Sequence, residues 1–411
     1  MSILNNKRVE VLPSKSQSIR ALFFALMASG RSEIENLLLS PDIEAVIYGC
    51  QQLGARVERV GTTLYCEGIG GRVEGAQGPI DVGNSGLGLR FFTAIAALSS
   101  FPIVITGDAS ICHRRPSWPL MEALGQLGAS VVSLEKEGFA PLRVWGPLLG
   151  GEADLEGSDS QPLSALLLAA PFAQRDVFLH VREAGERPYM EMTLSWLARL
   201  GLSYQRRGYE WFSLSAGQRL EAFHYRVPAD FSTATFAAAA ALITRSAVEL
   251  LGLDFHEPQG DKAFFSIIEN MGACVEREED RVIVRSIGGL HGVTCDLNSA
   301  IDCLPILAVL AAYAEGKTRL FGVENARFKE CDRLHCTASE LKKLGVSIMV
   351  SEDALEIEGR GGLKGGAVSS HGDHRLAMAL LVGGLGASGE IKVDEVRCIA
   401  KSYPTFFRDL L

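Results

Sequence analysis

The five-residue phrase QQLGA at residues 51–55 recurs in related form along the chain. The later copies are GQLGA at 125–129, ARLGL at 198–202, ENMGA at 269–273 and KKLGV at 342–346. Their glycines follow one another at distances of 74, 73, 71 and 73 residues. Each phrase ends an amphipathic run and precedes β-branched residues, as in a helix that a glycine terminates before a strand. This spacing predicts an α/β chain built from copies of one βαβ-type unit.

A second recurring feature is a small polar residue placed directly before a long apolar run, the arrangement that caps a helix N-terminus. Because these runs are apolar on nearly every side, we expect the helices to be buried. Six such starts predict six units, arranged as two domains of three. They are the segments PSKSQSIRALFFALMASG (13–30), GNSGLGLRFFTAIAAL (83–98), GSDSQPLSALLLAAPF (157–172), PADFSTATFAAAAALI (228–243), SAIDCLPILAVLAAYA (299–314) and HGDHRLAMALLVGGLG (371–386).

Length and composition limit the class of protein. The chain has 411 residues, a formal net charge of −9 and nine cysteines without a CxxC pair. This length favours two domains, and the cysteine pattern favours reduced thiols over disulfides or zinc. The segment MSILNNKRVEVLPSKS has no apolar signal core, so we expect a cytoplasmic chain without membrane contact. The negative charge argues against nucleic acid but leaves small anions open.

Charged residues collect at the predicted helix starts. Helix N-termini offer backbone N–H donors and a positive dipole end, so several of them together predict a binding site for anions. An arginine beside an apolar run also favours a bound anion, because burying a guanidinium without a partner is costly. The charges in question are Lys15, Arg20, Arg90, Asp302, Asp373, His374 and Arg375.

Simpler interpretations remain open for each of these residues. Any one arginine could form an ordinary surface ion pair, and Glu330 could pair with Lys329 in the same way. Asp302 and Asp230 could be plain N-caps, as could His374. No HExxH pair, P-loop or GxSxG occurs, and GNSGLG lacks the Rossmann spacing. The spacing alone therefore favours no metal site and does not choose among the carboxylates.

Ten segments of the sequence, in chain order, resemble those of the EPSP (5-enolpyruvylshikimate-3-phosphate) synthase family. The likeness extends from about Val9 to Phe407. The resemblance implies a two-domain inside-out α/β barrel of six repeats. It also implies transfer of the enolpyruvyl group of phosphoenolpyruvate to the 5-hydroxyl of shikimate 3-phosphate, in aromatic amino acid biosynthesis, with no cofactor and no metal. The segments are PSKSQSIRA, GNSGLGLR, RRPSWPL, SQPLSALL, ERPYMEMT, DFSTATF, QGD, ENARFKECDRL, GDHRLAMAL and CIAKSYP.

The resemblance implies a role for individual residues of this chain. The residues matching the family's phosphoenolpyruvate site are Lys15, Asn84, Gly86, Arg115, Gln161, Arg333, Arg375 and Lys401. Those matching its shikimate 3-phosphate site are Ser16, Arg20, Ser160, Gln161, Tyr189, Asp302, Asn325 and Lys329. The expected catalytic residues are Lys15, Asp302, Glu330 and His374.

The resemblance and the reaction chemistry together suggest roles. Arg333 and Arg375 are expected to hold the substrate carboxylate, a group that suits planar guanidinium ions. The substrate phosphate is expected to contact Lys15, Arg115, Gln161 and Lys401. Asp302 is expected to act as the base toward the hydroxyl, and Glu330 with Lys15 to move a proton at the methylene carbon.

The sequence departs from the common family pattern at two places. Asp159 and Glu186 stand where many members have serines that contact the 3-phosphate, and a carboxylate repels a phosphate there. A rearranged phosphate pocket, neutralised for instance by Arg187, Arg182 or Arg114, or a different acceptor alcohol would each explain these residues. Leu87 and Phe91 stand where Thr and Pro are common, which predicts weakened inhibition by glyphosate.

We expect residues 1–12 and 228–411 to form a discontinuous N- and C-terminal domain, with residues 13–227 inserted as the second domain. The active site is expected in the cleft between them, on a monomer whose partners are small-molecule substrates. Two alternatives are an enolpyruvyl transferase for another alcohol and an inactive metabolite-binding relative. The presence of Lys15, Asp302, Glu330 and Arg333 disfavours the inactive relative.

Overall fold

The computed structural model describes residues 7–279 and 281–411. The chain divides into two compact units. We call Lys15–Val227 the central unit, and residues up to Ser14 together with Pro228–Leu411 the terminal unit. Residues 1–6 and 280 of the predicted N- and C-terminal domain lie outside the described residues.

The elements of the chain follow in order, beginning with strand β1 (Lys7–Glu10) of the terminal unit. The helices of the central unit are α1 (Lys15–Met27), α2 (Pro41–Gln52), α3 (Gly86–Ala96), α4 (Ala109–His113), α5 (Trp118–Gln126), α6 (Ser160–Ala169) and α7 (Arg187–Arg199). Its strands are β2 (Arg31–Glu35), β3 (Arg56–Val60), β4 (Thr63–Glu67), β5 (Ile80–Asp81), β6 (Ile103–Thr106), β7 (Ser130–Ser133), β8 (Leu142–Trp145), β9 (Gly151–Glu156), β10 (Val177–Arg182), β11 (Tyr204–Arg207), β12 (Trp211–Leu214) and β13 (His224–Arg226).

The rest of the terminal unit follows the central unit in the chain. Its helices are α8 (Phe231–Ile243), α9 (Ala263–Asn270), α10 (Leu304–Tyr313), α11 (Arg333–Lys343), α12 (His374–Gly384) and α13 (Phe406–Leu410). Its strands are β14 (Ala247–Leu251), β15 (Ala273–Arg277), β16 (Arg281–Ser286), β17 (Thr294–Asp296), β18 (Glu315–Phe321), β19 (Ser347–Val350), β20 (Ala354–Arg360), β21 (Gly366–Val368) and β22 (Ile391–Val393).

Three of the four-stranded sheets in the described residues follow one path along the chain. A strand, a buried helix and a parallel strand are followed by a second helix and two antiparallel strands, as in the order β5-β6-β8-β7. The same order appears as β9-β10-β12-β11 in the central unit and β17-β18-β20-β19 in the terminal unit. Each unit also completes a sheet with a strand from its far end, β13 beside β2 and β1 beside β14. The predicted α/β chain of repeated βαβ-type units is therefore confirmed.

The recurring glycines act as predicted at the ends of the second helices. Each has a positive φ, a conformation that favours glycine because it has no Cβ. After α2, the amide of Gly54 donates to Gln51 and the amide of Ala55 to Cys50, which closes the last turn. The glycines are Gly54, Gly128, Gly201, Gly272 and Gly345.

The helices predicted to be buried form the cores of the units. In α10 every residue except Tyr313 is buried, and in α8 every residue except Ser232. Side chains cap the starts of several of them: Ser85, Asp159 and Asp373 each accept a backbone N–H from the first turn. Among the described residues, no helix is both long enough and apolar enough to cross a membrane.

The interpretation of Asp302 as a plain helix N-cap is wrong. A 3₁₀ segment, Asn298–Cys303, precedes α10, and the N-cap of α10 is Cys303. Asp302 lies inside this segment, where Ala300 has non-helical backbone angles. The segment therefore presents the Asp302 carboxylate beside the helix start instead of using it as a cap.

Candidate active site

Arg333 is the centre of a buried charged cluster in the terminal unit. It is the first residue of α11, and its side chain is 1% exposed. Its Nε donates to Asp373 Oδ2 at 2.6 Å, Nη1 to Asp302 Oδ1 at 2.6 Å and Nη2 to Glu330 Oε2 at 2.8 Å. One guanidinium thus holds three carboxylates, because a planar fork can donate in several directions at once.

Two further cations complete this cluster. Arg375, the second residue of α12, lies with Nη2 2.7 Å from Asp302 Oδ2. Lys401 ends the 3₁₀ segment Val396–Lys401 and donates to Glu330 Oε1 at 2.5 Å. The first residue of α12, His374, has Nδ1 3.7 Å from the same oxygen. The structure therefore brings together the predicted residues Asp302, Glu330, Arg333, His374, Arg375 and Lys401.

The cations control the ionisation of Asp302. Burial by itself would raise the pKa of this carboxyl, but Arg375, Arg333 and Lys329 outweigh it and hold the pKa well below its usual range. Burial likewise acts to lower the pKa of Arg333, yet Asp373, Glu330 and Asp302 raise that pKa well above its ordinary value. Asp302 and Arg333 are therefore both ionised at neutral pH.

Asp261 lies near Asp302, and the pKa of its carboxyl is shifted in the opposite direction. Burial and then the Asp302 charge raise the pKa of its carboxyl, and Ser232 Oγ donates to it. Two carboxyls whose pKa values are driven apart are typical of acid–base chemistry.

In the central unit, the predicted residues Gly86, Arg115 and Gln161 lie together. A Cβ on Gly86, the first residue of α3, would overlap Nη1 of Arg115 and lie 3.4 Å from Oε1 of Gln161. Arg90, one turn along α3, donates through Nη2 to the carbonyl of Pro116 at 2.8 Å. This bond fixes the loop that carries Arg115. A side chain at position 86 would displace the Arg115 guanidinium from this place.

Lys15 and Asn84 also have partners within the central unit. Lys15 is the first residue of α1, where a cation opposes the helix dipole, and Asp42 Oδ2 lies 3.5 Å from its Nζ. The amide of Asn84 donates to Asp108 and to Ser110 Oγ. Asn84 is therefore attached to the start of α4, which follows the strand after α3.

Arg20 makes mainly internal contacts. Its Nε donates to Thr193 Oγ1 at 2.9 Å, Nη2 to the Tyr189 carbonyl at 2.9 Å and Nη1 to the Ser16 carbonyl at 3.1 Å. Burial lowers its pKa to about 9. Arg20 thus joins α1 to α7 and sets the positions of Ser16 and Tyr189.

The two unexpected carboxylates lie at the start of α6. Asp159 caps the helix by accepting from Gln161 N at 3.0 Å, and Glu186 Oε2 accepts from Ser160 Oγ at 2.9 Å. The Nε of Arg187 donates to the Ala184 carbonyl at 3.3 Å, and its guanidinium lies over the Tyr209 ring.

Asn325 and Lys329 belong to the terminal unit. Asn325 is buried in the 3₁₀ segment Glu324–Phe328, and Lys329 follows this segment. Lys329 contributes to the lowered pKa of Asp302. Both residues therefore belong to the chain segment that leads into the Arg333 cluster.

Comparison with known proteins identifies the family. The sequence profile described as EPSP synthase (3-phosphoshikimate 1-carboxyvinyltransferase) matches residues 5–410. The chain belongs to the EPSP synthase family. The family prediction is thereby confirmed.

Relatives of the chain include proteins named 3-phosphoshikimate 1-carboxyvinyltransferase. The one from Acetivibrio thermocellus is 41% identical over 399 residues, covering 97% of this chain and 93% of the relative. The one from Chlamydia muridarum is 39% identical over 398 residues, covering 96% and 89%. The solved EPSP synthase of Acinetobacter baumannii has a TM-score of 0.82 at 29% identity and covers 99% of this chain and 96% of its own.

Sequence reasoning missed several residues of this EPSP synthase family site. The sequence marks Asp373 only as a charge at a helix start, although Asp373 both caps α12 and binds Arg333. Asp42, the partner of Lys15, and Thr193, the partner of Arg20, carried no local signal. The one available signal was the aspartate directly before the apolar run of α12, which is typical of a buried N-cap.

Geometry alone would allow an ion at two groups of the described residues. One is Glu33, Glu35 and His224, and the other is Glu330, Asp373 and His374. In the second group, Arg333 and Lys401 already bind the carboxylates, so their charge is compensated. The expectation that no metal is needed stays a prediction.

Proposed function

We propose that this chain transfers the enolpyruvyl group of phosphoenolpyruvate to the 5-hydroxyl of shikimate 3-phosphate and releases phosphate. Family membership and the named relatives support this reaction. A transferase for another alcohol is not favoured, because both relatives are named 3-phosphoshikimate 1-carboxyvinyltransferase. The observation that carries the proposal is a carboxylate, Asp302, held between Arg333 and Arg375.

This arrangement suits the substrate carboxylate. Arg333 Nη1 lies 2.6 Å from one oxygen of the Asp302 carboxylate, and Arg375 Nη2 lies 2.7 Å from the other. We propose that the carboxylate of phosphoenolpyruvate takes this place. Asp302 would then lose part of its cationic surroundings, and its pKa would rise toward the ordinary value. Substrate binding would therefore make Asp302 a stronger base.

The substrate phosphate is assigned to three cations and one amide side chain. We propose that it contacts Lys15, Arg115, Gln161 and Lys401, with Asn84 and Gly86 shaping the same place. Support comes from the position of Lys15 at the start of α1 and from the close approach of Arg115 to Gly86. The acceptor is assigned to Ser16, Arg20, Ser160, Gln161, Tyr189, Asp302, Asn325 and Lys329.

The proposed chemistry is an addition followed by an elimination. In the addition, Asp302 takes the proton of the acceptor hydroxyl, the hydroxyl oxygen bonds to C2, and a proton is delivered to C3. In the elimination, the C2–O bond to phosphate breaks and a proton leaves C3. Glu330, bound to Lys401 and close to His374, is the proposed proton carrier at C3 together with Lys15. The surrounding cations stabilise the leaving phosphate.

Phosphate release tests this function. The chain is incubated with phosphoenolpyruvate and shikimate 3-phosphate, with each substrate alone, and with shikimate in place of its phosphate. Release that requires both substrates and falls strongly with shikimate supports the proposal. Equal rates without an acceptor would indicate a phosphatase.

We also propose that the chain is a monomer. We further propose that it works in a reducing compartment such as the cytoplasm, because all nine cysteines are thiols.

A further inference from the structure

Two loops of the central unit are fastened together at the start of α6. Gly157 N donates to the Arg182 carbonyl at 2.8 Å, and Gly185 N donates to the Gly157 carbonyl at 3.0 Å. A Cβ on Gly185 would lie 2.6 Å from the Ser158 carbonyl oxygen, so no larger residue fits there. The next residue, Glu186, has φ +47°, which is strained for a side chain of this size. The loop contacts thus hold Glu186 in an unfavourable conformation.

The strained backbone places the Glu186 carboxylate on Ser160. Glu186 is 2% exposed, and Oε2 accepts from Ser160 Oγ at 2.9 Å and from Ser160 N at 3.4 Å. Its carbonyl accepts from Tyr189 N at 3.0 Å. Strain that is retained by surrounding contacts is typical of functional sites. Glu186 therefore contacts two of the residues proposed to bind the acceptor.

These contacts use the hydrogen-bond donors that an anion would need. A serine hydroxyl has one proton, and the proton of Ser160 is directed at Glu186, so lone pairs face any other partner. Asp159 Oδ1 accepts from Gln161 N at 3.0 Å in the same helical turn. A phosphate dianion offers only acceptor oxygens. It can use the first turn of α6 only by replacing carboxylates that already occupy it.

We infer that Glu186 is a specificity-determining residue that weakens binding of the acceptor's phosphate by competing for Ser160. The inference rests on the proposed function, which assigns the acceptor to Ser160, Gln161 and Tyr189. Two like charges at 4 Å in water weaken an equilibrium roughly fivefold, and burial increases the effect. Glu186 thereby narrows the preference for shikimate 3-phosphate over shikimate, whose hydroxyl can donate to the same oxygens.

The variant Glu186→Gln tests the inference. The amide keeps the shape and backbone of glutamate but removes the charge and supplies donors. We expect the KM for shikimate 3-phosphate to fall about fivefold or more, with kcat and the KM for phosphoenolpyruvate within about twofold of the native values. The ratio of kcat/KM for shikimate 3-phosphate to that for shikimate rises accordingly. Glu183→Gln is the matched control, because Glu183 is exposed and also has a positive φ of 54°.

Glu186→Gln in a Ser160→Ala chain gives a second measurement, because competition for Ser160 requires its hydroxyl. We expect Glu186→Gln to lower the KM for shikimate 3-phosphate less in the Ser160→Ala chain than in the native chain. An equal fall in both chains would show that Glu186 acts without Ser160 and would overturn the inference. An unchanged or raised KM in a folded Glu186→Gln chain overturns it as well. Absence of turnover in the native chain would instead refute the proposed function.

Discussion

The basicity of the Asp302 carboxylate depends on two neighbouring arginines. Arg333 and Arg375 hold its carboxylate at 2.6 and 2.7 Å, and they keep its pKa well below the usual range. In this state Asp302 is a weak base. Its proposed role in catalysis therefore depends on a substrate anion that competes for the same arginines.

Replacing Asp302 by Asn or Ala tests this role. Both variants lose the proposed base, so we expect kcat to fall by about a thousandfold while the far-UV circular dichroism stays native. Asn keeps the volume and serves as the control for shape. Turnover near the native rate in either variant would contradict the assignment.

Gly86 is a second residue with a measurable steric consequence. In Gly86→Ala the new Cβ overlaps Nη1 of Arg115, so the guanidinium must move away from its place beside Gln161. We expect a rise of about tenfold in the KM for phosphoenolpyruvate and a smaller change for the acceptor. Steady-state kinetics with each substrate varied in turn would check this. Equal changes in both KM values would argue against a role for Arg115 in binding phosphoenolpyruvate.

At the scale of the element, α12 depends on a single carboxylate. Asp373 Oδ1 accepts from the amides of Arg375 and Leu376, and Oδ2 accepts from Arg333 Nε. Loss of an N-cap costs about 1 kcal/mol, whereas loss of one partner of a buried ion pair costs about 3–5 kcal/mol.

We therefore expect Asp373→Ala to reduce the free energy of unfolding by about 4 kcal/mol. Ser85→Ala is the matched comparison, because Ser85 caps α3 through Gly88 N at 3.1 Å and loses only the cap, about 1 kcal/mol. Urea unfolding of both variants measures the difference. Similar losses in the two variants would mean that the Arg333 bond contributes little.

The start of α3 also carries the prediction on glyphosate. Leu87 is half-buried beside Gly86, and Phe91 is buried with its ring 5.1 Å from the ring of Phe23. Bulk at Leu87 therefore lies next to the proposed phosphoenolpyruvate contacts. We expect Leu87→Thr to lower the inhibition constant of glyphosate by several-fold, measured against phosphoenolpyruvate. An unchanged constant would show that Leu87 has no influence.

At the scale of the whole molecule, the Asp302 cluster links stability to pH. Its lowered pKa means that the folded chain binds fewer protons there than the unfolded chain. The resulting stabilisation is present above the ordinary pKa of about 4 and is lost as the pH falls below it. We expect the melting temperature of the native chain to fall more steeply below pH 5 than that of Asp302→Asn. Parallel curves would contradict the lowered pKa.

The sequence predicted those features that depend on neighbours along the chain. The caps at Gly54 and Gly345 and the starts of α3, α6 and α12 follow from local hydrogen-bond chemistry. The bonds of Arg20 to Thr193 and of Arg333 to Asp373 join residues 173 and 40 positions apart. No local pattern specifies such pairs, because they depend on how the repeats pack.

The most direct measurement of the central claim is ³¹P nuclear magnetic resonance of the reaction. The chain is mixed with phosphoenolpyruvate and shikimate 3-phosphate in equal amounts. We predict that the phosphoenolpyruvate signal disappears as inorganic phosphate appears, while the 3-phosphate signal shifts and persists in a product heavier by one enolpyruvyl group. Loss of the phosphoenolpyruvate signal with an unshifted 3-phosphate signal, or no change at all, would contradict the account.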